Sequence, residues 1–197
     1  MSNTKNQYAK TVAIMGMFTA IIVVLQLLGY GLTAMGVFPL SLVLIPIVLG
    51  AYLYGPAAGA ILGAAFGAIV TVCCFTGLDK GGYILISANP YLTTAICLIK
   101  GAAAGALAGL VALPFKKNRP TLAILLAAMV APIVNTGLFV LSLLVFFKDI
   151  LNSWSGGTDL TLYIITGLVG VNFLVEFTIN VVAAPFIKRV ERAIKKV

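Results

Sequence analysis

The sequence predicts an all-α membrane protein with six transmembrane helices and both termini in the cytoplasm. Hydrophobic residues make up 61% of the 197 residues and charged residues 9%, whereas soluble domains average roughly 45–50% and about 25%. The apolar residues form long stretches, and about 20 such residues are needed to cross a hydrocarbon core about 30 Å thick. The whole chain, residues 1–197, is therefore expected to form one integral membrane domain.

Six apolar segments define the predicted spans. The second, FPLSLVLIPIVLGAYLY, is short and carries Pro39, Pro46 and Gly50, which predicts a kinked or partly re-entrant helix. Gly55-Pro56 after it predicts a tight turn into the third span. The six spans cover residues 9–29, 38–54, 57–76, 91–114, 121–147 and 160–187.

The first span ends without the small-residue cleavage pattern of a signal peptide, so it is expected to remain as a helix. Gly16 and Ala20 lie four residues apart in AIMGMFTAI, on an otherwise large and apolar helix surface. Such a pair of small residues lets another helix approach closely. Two interpretations stay open: packing within the bundle, or a docking face for another subunit.

The third and fourth spans share a periodic pattern of glycine. Three glycines at four-residue spacing line up on one helix face, where they allow two backbones to come close. The pattern favours a helix-packing seam over a binding site. The glycines are Gly59, Gly63 and Gly67 in the third span and Gly101, Gly105 and Gly109 in the fourth.

The lysines and arginines determine the orientation. They precede the first span, lie between the fourth and fifth, and follow the sixth. With six spans, these three positions are on the same side of the membrane. Because basic loops are cytoplasmic, this side is expected to be the cytoplasm. The net charge of +8 comes mainly from these clusters, so nucleic-acid binding is not expected. The clusters contain Lys5, Lys10, Lys116, Lys117, Arg119, Lys188, Arg189, Arg192, Lys195 and Lys196.

Several chemistries are disfavoured. The chain has no histidine and no G-x-x-x-x-G-K-[ST] phosphate loop, which removes the usual participants of zinc sites, Ser-His-Asp triads and nucleotide sites. Cys73, Cys74 and Cys97 have no paired metal-ligand spacing and are interpreted as small apolar fillers. We expect no enzymatic activity, no cofactor and no metal.

Lys100 interrupts the small and apolar stretch CLIKGAAAGALAG. A lone ammonium at the bilayer centre costs about 3 kcal/mol or more, and counting from Tyr91 puts Lys100 roughly 13 Å below the outer end of its helix. Glu176, the only acid within the predicted spans, has a compatible depth, so a Lys100–Glu176 ion pair is predicted. Asn135 and Asn172 are available as hydrogen-bond partners. The pair would either staple two helices or also meet a polar or anionic ligand from outside.

Two predicted outer loops add aromatic and amide side chains. GLDKGGYILISANPY contains Tyr83 and Asn89, and KDILNSWSGGTD contains Trp154, the only tryptophan, beside a Gly-Gly pair that could act as the hinge of a lid. Between them in sequence, Pro132 is expected to loosen the fifth span and present Asn135 to a cavity. The aromatic residues could equally be anchors at the membrane interface.

These features together resemble the S components, the substrate-binding subunits of energy-coupling-factor (ECF) vitamin transporters. The resemblance covers nearly the whole chain and rests on six short spans with both ends inside and on the Gly16–Ala20 pair. It also rests on three stretches: IPIVLGAYLYGPAAGAILGAAFGAIV, NPYLTTAICLIKGAAAGALAGL and APIVNTGLF.

The resemblance implies a multi-pass protein of the bacterial plasma membrane that binds a water-soluble vitamin or a related small polar molecule. Similar proteins form the pocket from the outer halves of helices 4 to 6 together with the loops between helices 1 and 2, 3 and 4, and 5 and 6. They dock, through small residues of helix 1, on a transmembrane coupling subunit carried by two ATPases. Gly16 stands where the family more often has alanine. The expected substrate-binding residues are Lys100, Asn135, Asn172, Glu176, Asn89, Tyr83 and Trp154, and the expected docking residues are Gly16 and Ala20.

Two other functions stay open from the residues alone. A stand-alone secondary transporter would use Lys100 and Glu176 as an ion or proton relay, and internal inverted repeats would support it; the sequence has none beyond the glycine pattern. A structural or assembly subunit would bind no ligand, and the same two residues would only hold two helices together.

Overall fold

The structure, a computed structural model, describes residues 2–34 and 42–196, with side chains described except at residues 2–8, 33–34, 168, 171–172 and 192–196. These ranges contain helices and turns and no strand, as the all-α prediction requires. A π-helical segment, π1 (Ile164–Gly170), joins α8 to α9. The α-helices are α1 (Ser2–Ala34), α2 (Leu44–Tyr54), α3 (Pro56–Thr76), α4 (Lys80–Ala88), α5 (Pro90–Ala112), α6 (Pro120–Phe146), α7 (Lys148–Ser155), α8 (Leu160–Tyr163) and α9 (Val171–Lys196).

Four helices are long and apolar enough to cross a membrane: Ala9–Leu32 of α1, and α3, α5 and α6. The predicted second span is represented by α2, whose 11 residues extend only about 16 Å. The start of that span, residues 38–41, lies outside the described residues. The predicted sixth span corresponds to α8, π1 and the first part of α9. The count of six spans and the cytoplasmic position of both termini stay predictions.

Local sequence explains where the helices begin and end. Pro56, Pro90 and Pro120 each occupy the first position of a helix, where the missing N–H costs no intrahelical hydrogen bond. The predicted outer loops contain two short helices that the hydropathy pattern did not reveal, α4 and α7. Gly156 ends α7 with φ of 58°, a left-handed conformation that glycine adopts without strain.

The largest helix–helix contact joins α3 and α5, through the glycines that the sequence aligned on one face. Along this glycine seam, Gly59 lies against the carbonyl of Gly105 and Gly63 against the carbonyl of Gly101, and a Cβ at either position of α3 would overlap that oxygen. The predicted packing seam is confirmed. It ends at Gly67, which lies against the backbone of Cys97.

Two apolar clusters surround this pair of helices. The larger contains residues of α1, α2, α3, α5, α6 and α9, and Ile86 of α4. The smaller, around Leu85, Leu143, Phe147 and Leu151, joins α4, α6 and α7. We call the end of the bundle that carries α4 and α7 the α4/α7 end. The largest contacts of α6 are with α5 and α9, whereas α1 lies at the edge and contacts α3 and α2.

Replacing Gly63 with valine is expected to destabilise the protein by about 3 kcal/mol or to prevent folding, because overpacking against a backbone carbonyl forces two helices apart. The control is Gly137→Val in α6, where a Cβ would meet nothing within 4 Å. That variant should stay within about 0.5 kcal/mol of the parent protein. Unfolding of the purified proteins in detergent, followed by circular dichroism, measures both; equal transitions would contradict the seam.

Candidate ligand-binding cavity

A cavity of about 330 Å³ lies at the α4/α7 end, between the two apolar clusters. Its walls come from α3, α4, α5, α6, α7 and π1. Val70 and Cys97 belong to the larger cluster, and Leu85 and Leu143 belong to the smaller. The volume is at the lower end of the range of about 300–1,000 Å³ found for ligand pockets, and such pockets are mostly apolar with a few placed polar groups.

The side chain of Lys100 lines this cavity. Its Nζ lies 5.0 Å from the centroid of the Phe139 ring and 5.9 Å from that of Phe66, within the distance at which a ring attracts a cation. Side chains on a helix tilt toward its N-terminus, and the N-terminus of α5 follows α4 in the chain. The ammonium therefore extends from the middle of α5 toward the α4/α7 end.

The predicted ion pair between Lys100 and Glu176 is not formed in the part of the chain that the structure describes. Glu176 is buried and has interactions of its own, and its backbone carbonyl accepts a 2.8 Å hydrogen bond from the Asn180 side chain. It does not line the cavity. The pair was inferred from the depth of the two residues alone. Because α9 packs chiefly against α6 and α2, the face of α9 that carries Glu176 determines whether its side chain can meet Lys100.

Asn135 and Asn89, two of the other predicted amides, lie outside the cavity wall. Asn135 is buried in α6, one turn from Phe139, and its Oδ1 has no hydrogen-bond partner among the described residues. Asn89 caps α5, where its side chain accepts a 3.0 Å hydrogen bond from the N–H of Leu92; an Asn-Pro pair is a helix-start signal. The side chain of Asn172 lies outside the described residues.

The two predicted aromatic residues have different positions. Tyr83 is half exposed on α4 and is not part of the cavity wall. Trp154 of α7 lines the cavity, and its ring lies 3.9 Å from where a Cβ on Gly81 of α4 would be. Trp154 therefore spans the gap between the two short helices at this end of the bundle.

Asp79 lines the cavity, although it was not among the predicted site residues. Its Oδ1 accepts a 2.8 Å hydrogen bond from the N–H of Gly82, which caps α4, and its Oδ2 accepts a 3.0 Å hydrogen bond from the Tyr30 hydroxyl of α1. The sequence does indicate this capping role, because an aspartate before a run of helix-compatible residues is a helix-start signal. The contact with Tyr30, 49 residues away, has no local signal.

Further polar or polarisable side chains in the wall were also missed, among them Thr93, Cys74 and Cys97. Thr93 is buried, and its Oγ1 has no hydrogen-bond partner among the described residues. Cys74 and Cys97, interpreted as fillers, line the cavity. Thr93 and Cys97 precede Lys100 by seven and three residues, the helical spacing that places all three on one face of α5. That spacing was present in the sequence.

Comparison with known protein families identifies the family of the chain. The model of the family described as ECF transporter, substrate-specific component, matches residues 10–187. No curated protein and no solved structure matches the chain. The matched range contains all the cavity residues named above, together with Gly16 and Ala20 of α1.

Replacing Asp79 with alanine removes the cap of α4 and the acceptor for Tyr30. Loss of an N-cap costs about 1 kcal/mol, so amides in the first turn of α4 should exchange with deuterium about fivefold faster, as measured by mass spectrometry of peptides covering residues 80–88. Lys80→Ala, a neighbouring change that leaves the cap intact, is the control. The same exchange rate in both variants would show that Asp79 does not hold α4.

Proposed function

Since the chain belongs to the substrate-specific components of ECF transporters, we propose that it binds a small, polar, vitamin-like molecule in the cavity beside Lys100 and transfers it inward with the help of partner subunits that hydrolyse ATP. The observation that carries the proposal is the position of the Lys100 ammonium. It lies in a largely apolar cavity of about 330 Å³ and contacts aromatic rings. A cation at this position costs free energy, and a ligand that binds it would offset this cost.

Of the predicted site residues, Lys100 and Trp154 are proposed to contact the ligand. Asp79 and Thr93, which line the same cavity, are added to the site. Asn135 lies one turn beyond the wall and is proposed to support Phe139. The positions of Tyr83, Asn89 and Glu176 outside the cavity wall give them no role in this proposal.

A face of small residues on α1 supports docking to a transmembrane coupling subunit. This small-residue face consists of Ala9, Ala13, Gly16 and Ala20, all exposed, and a Cβ on Gly16 would meet nothing within 4 Å. At about 100° per residue, the face lies opposite Phe18 and Ile22, the residues that α1 buries in the larger cluster. Small residues allow close packing of helices in lipid. We propose that a helix of the coupling subunit packs on this face and that two ATPases drive the assembly.

The basic residues support an inward orientation for the end opposite α4 and α7. Lys116, after α5, donates a 3.0 Å hydrogen bond to the carbonyl of Leu53, and Lys188 donates one of 2.8 Å to the hydroxyl of Thr121 at the start of α6. Because positive loops are cytoplasmic, we assign this end to the cytoplasm and the cavity to the outer side. Six spans with both termini inside complete the proposed arrangement. The alternative relay between Lys100 and Glu176 lacks support from the positions of these two residues.

Substitution of Lys100 by alanine is expected to weaken ligand binding at least about tenfold, because a hydrogen bond to a charged group contributes about 1.5–3 kcal/mol. Lys80→Ala, which removes an exposed lysine of α4, should leave binding unchanged. The ligand is found first by thermal unfolding of the purified protein with a panel of water-soluble vitamins and precursors, where an excess of about 1,000 times Kd contributes about 4 kcal/mol. Equal affinities of the two variants would remove Lys100 from the site.

Substitution of Gly16 by tryptophan is expected to abolish co-purification with the coupling subunit and the ATPases, since an indole on the small-residue face keeps the partner helix away. Gly137→Trp places the same side chain at an open position of α6 and should leave the complex intact. Ligand-induced thermal stabilisation of the isolated Gly16→Trp protein should equal that of the parent. Retention of the complex by Gly16→Trp would refute docking through this face.

A further inference from the structure

The cavity carries two opposite charges, that of Lys100 on α5 and that of Asp79 immediately before α4. A different cavity cysteine lies near each of them. Cys97 precedes Lys100 by three residues on the same face of α5. The Sγ of Cys74 and the Oδ2 of Asp79 both lie against the position that a Cβ on Gly82 would take. The wall near Cys97 is therefore positive and the wall near Cys74 is negative.

Both charged groups have unused hydrogen-bonding capacity. The carboxylate of Asp79 accepts one hydrogen bond from Gly82 and one from Tyr30, and a carboxylate has about four acceptor positions. The ammonium of Lys100 has three donors, and within the described ranges it lies beside the rings of Phe66 and Phe139. A ligand with an acceptor for Lys100 and a donor for Asp79 would satisfy both.

The remaining wall suits the body of such a ligand. Thr93 is 3% exposed, faces the cavity, and has a hydroxyl oxygen without a partner among the described side chains. A buried hydroxyl in this state is stabilised by a ligand that supplies its hydrogen bond. Phe139 and Trp154 provide aromatic surface in the same wall.

We infer that the substrate is a small amphoteric molecule that presents a carboxylate, or an equivalent anionic acceptor, to Lys100 and an N–H or O–H donor to Asp79. This inference rests on the proposed function and specifies its substrate class and the orientation of the bound molecule. A ligand without an anionic group would cover the ammonium and leave it without a counter-charge. This is unfavourable, because a charge that loses its water without gaining a partner costs free energy. A ligand with negative charge at both ends would be repelled by Asp79.

The charge separation is tested by thiol labelling of the full-length purified protein. Two single-cysteine proteins are compared: Cys97 alone, in Cys73→Ala/Cys74→Ala, and Cys74 alone, in Cys73→Ala/Cys97→Ala. The probes are anionic 2-sulfonatoethyl and cationic 2-(trimethylammonio)ethyl methanethiosulfonate, with rates normalised to those of 2-mercaptoethanol. Cys97 should favour the anionic probe by roughly tenfold, as expected for nearby unit charges at a partly buried site. Cys74 should favour the cationic probe.

Charge variants then identify which charged residue causes the probe preference at each cysteine. Lys100→Met should remove the preference at Cys97, whereas Lys100→Arg, which keeps the charge, should retain it. Asp79→Asn keeps an oxygen to cap α4 and should remove the preference at Cys74. The same charge preference at both cysteines, or no reaction of either cysteine in the folded protein, overturns the inference.

The substrate class is tested by protection of Cys97 with matched aromatic fragments at millimolar concentration. 4-Aminobenzoate, which carries both groups, should slow labelling most, benzoate less, and benzamide least. Equal protection by benzamide and 4-aminobenzoate, or no protection by any fragment, contradicts an amphoteric ligand. Neither measurement involves the partner subunits, so a failure here leaves the docking result of Gly16→Trp untouched, and a failure of docking leaves these measurements valid.

Discussion

The glycine seam between α3 and α5 is the constraint on which the rest of the structure depends. Along it, Gly59 and Gly63 face backbone carbonyls of α5, so the two helices can have only one register and one relative rotation without overlap. The seam ends at Gly67 and Cys97, and Cys97 is also part of the cavity wall. The cavity therefore begins at the level where close backbone packing stops.

The same seam determines where Lys100 points. Its neighbour Gly101 is held against Gly63, and this contact fixes the rotation of α5 about its axis. One residue earlier, at about 100° around the helix, Lys100 is directed to the side of α6, where it meets Phe139. A cation in the bilayer is costly, and here the rings of two neighbouring helices surround it while the cavity leaves it accessible to a small molecule.

Sequence reasoning succeeded where one helix carried the whole signal. The glycine spacing predicted the seam, and the isolation of Lys100 in an apolar stretch predicted that its side chain turns inward, as it does beside Phe139. Sequence reasoning failed where a contact depended on how two helices pack against each other. Counting residues predicted matching depths for Glu176 and Lys100, but the rotation of α9 is set by tertiary packing against α6 and α2. Asp79 was missed because hydropathy averages conceal short helices such as α4, and because its partner Tyr30 is distant in sequence.

The small-residue face of α1 and the wall of the cavity share no side chain among the described residues. Substitutions in the cavity wall can therefore leave the outer surface of α1 unchanged. Under the proposed docking, ligand preference and partner recognition can evolve independently of each other.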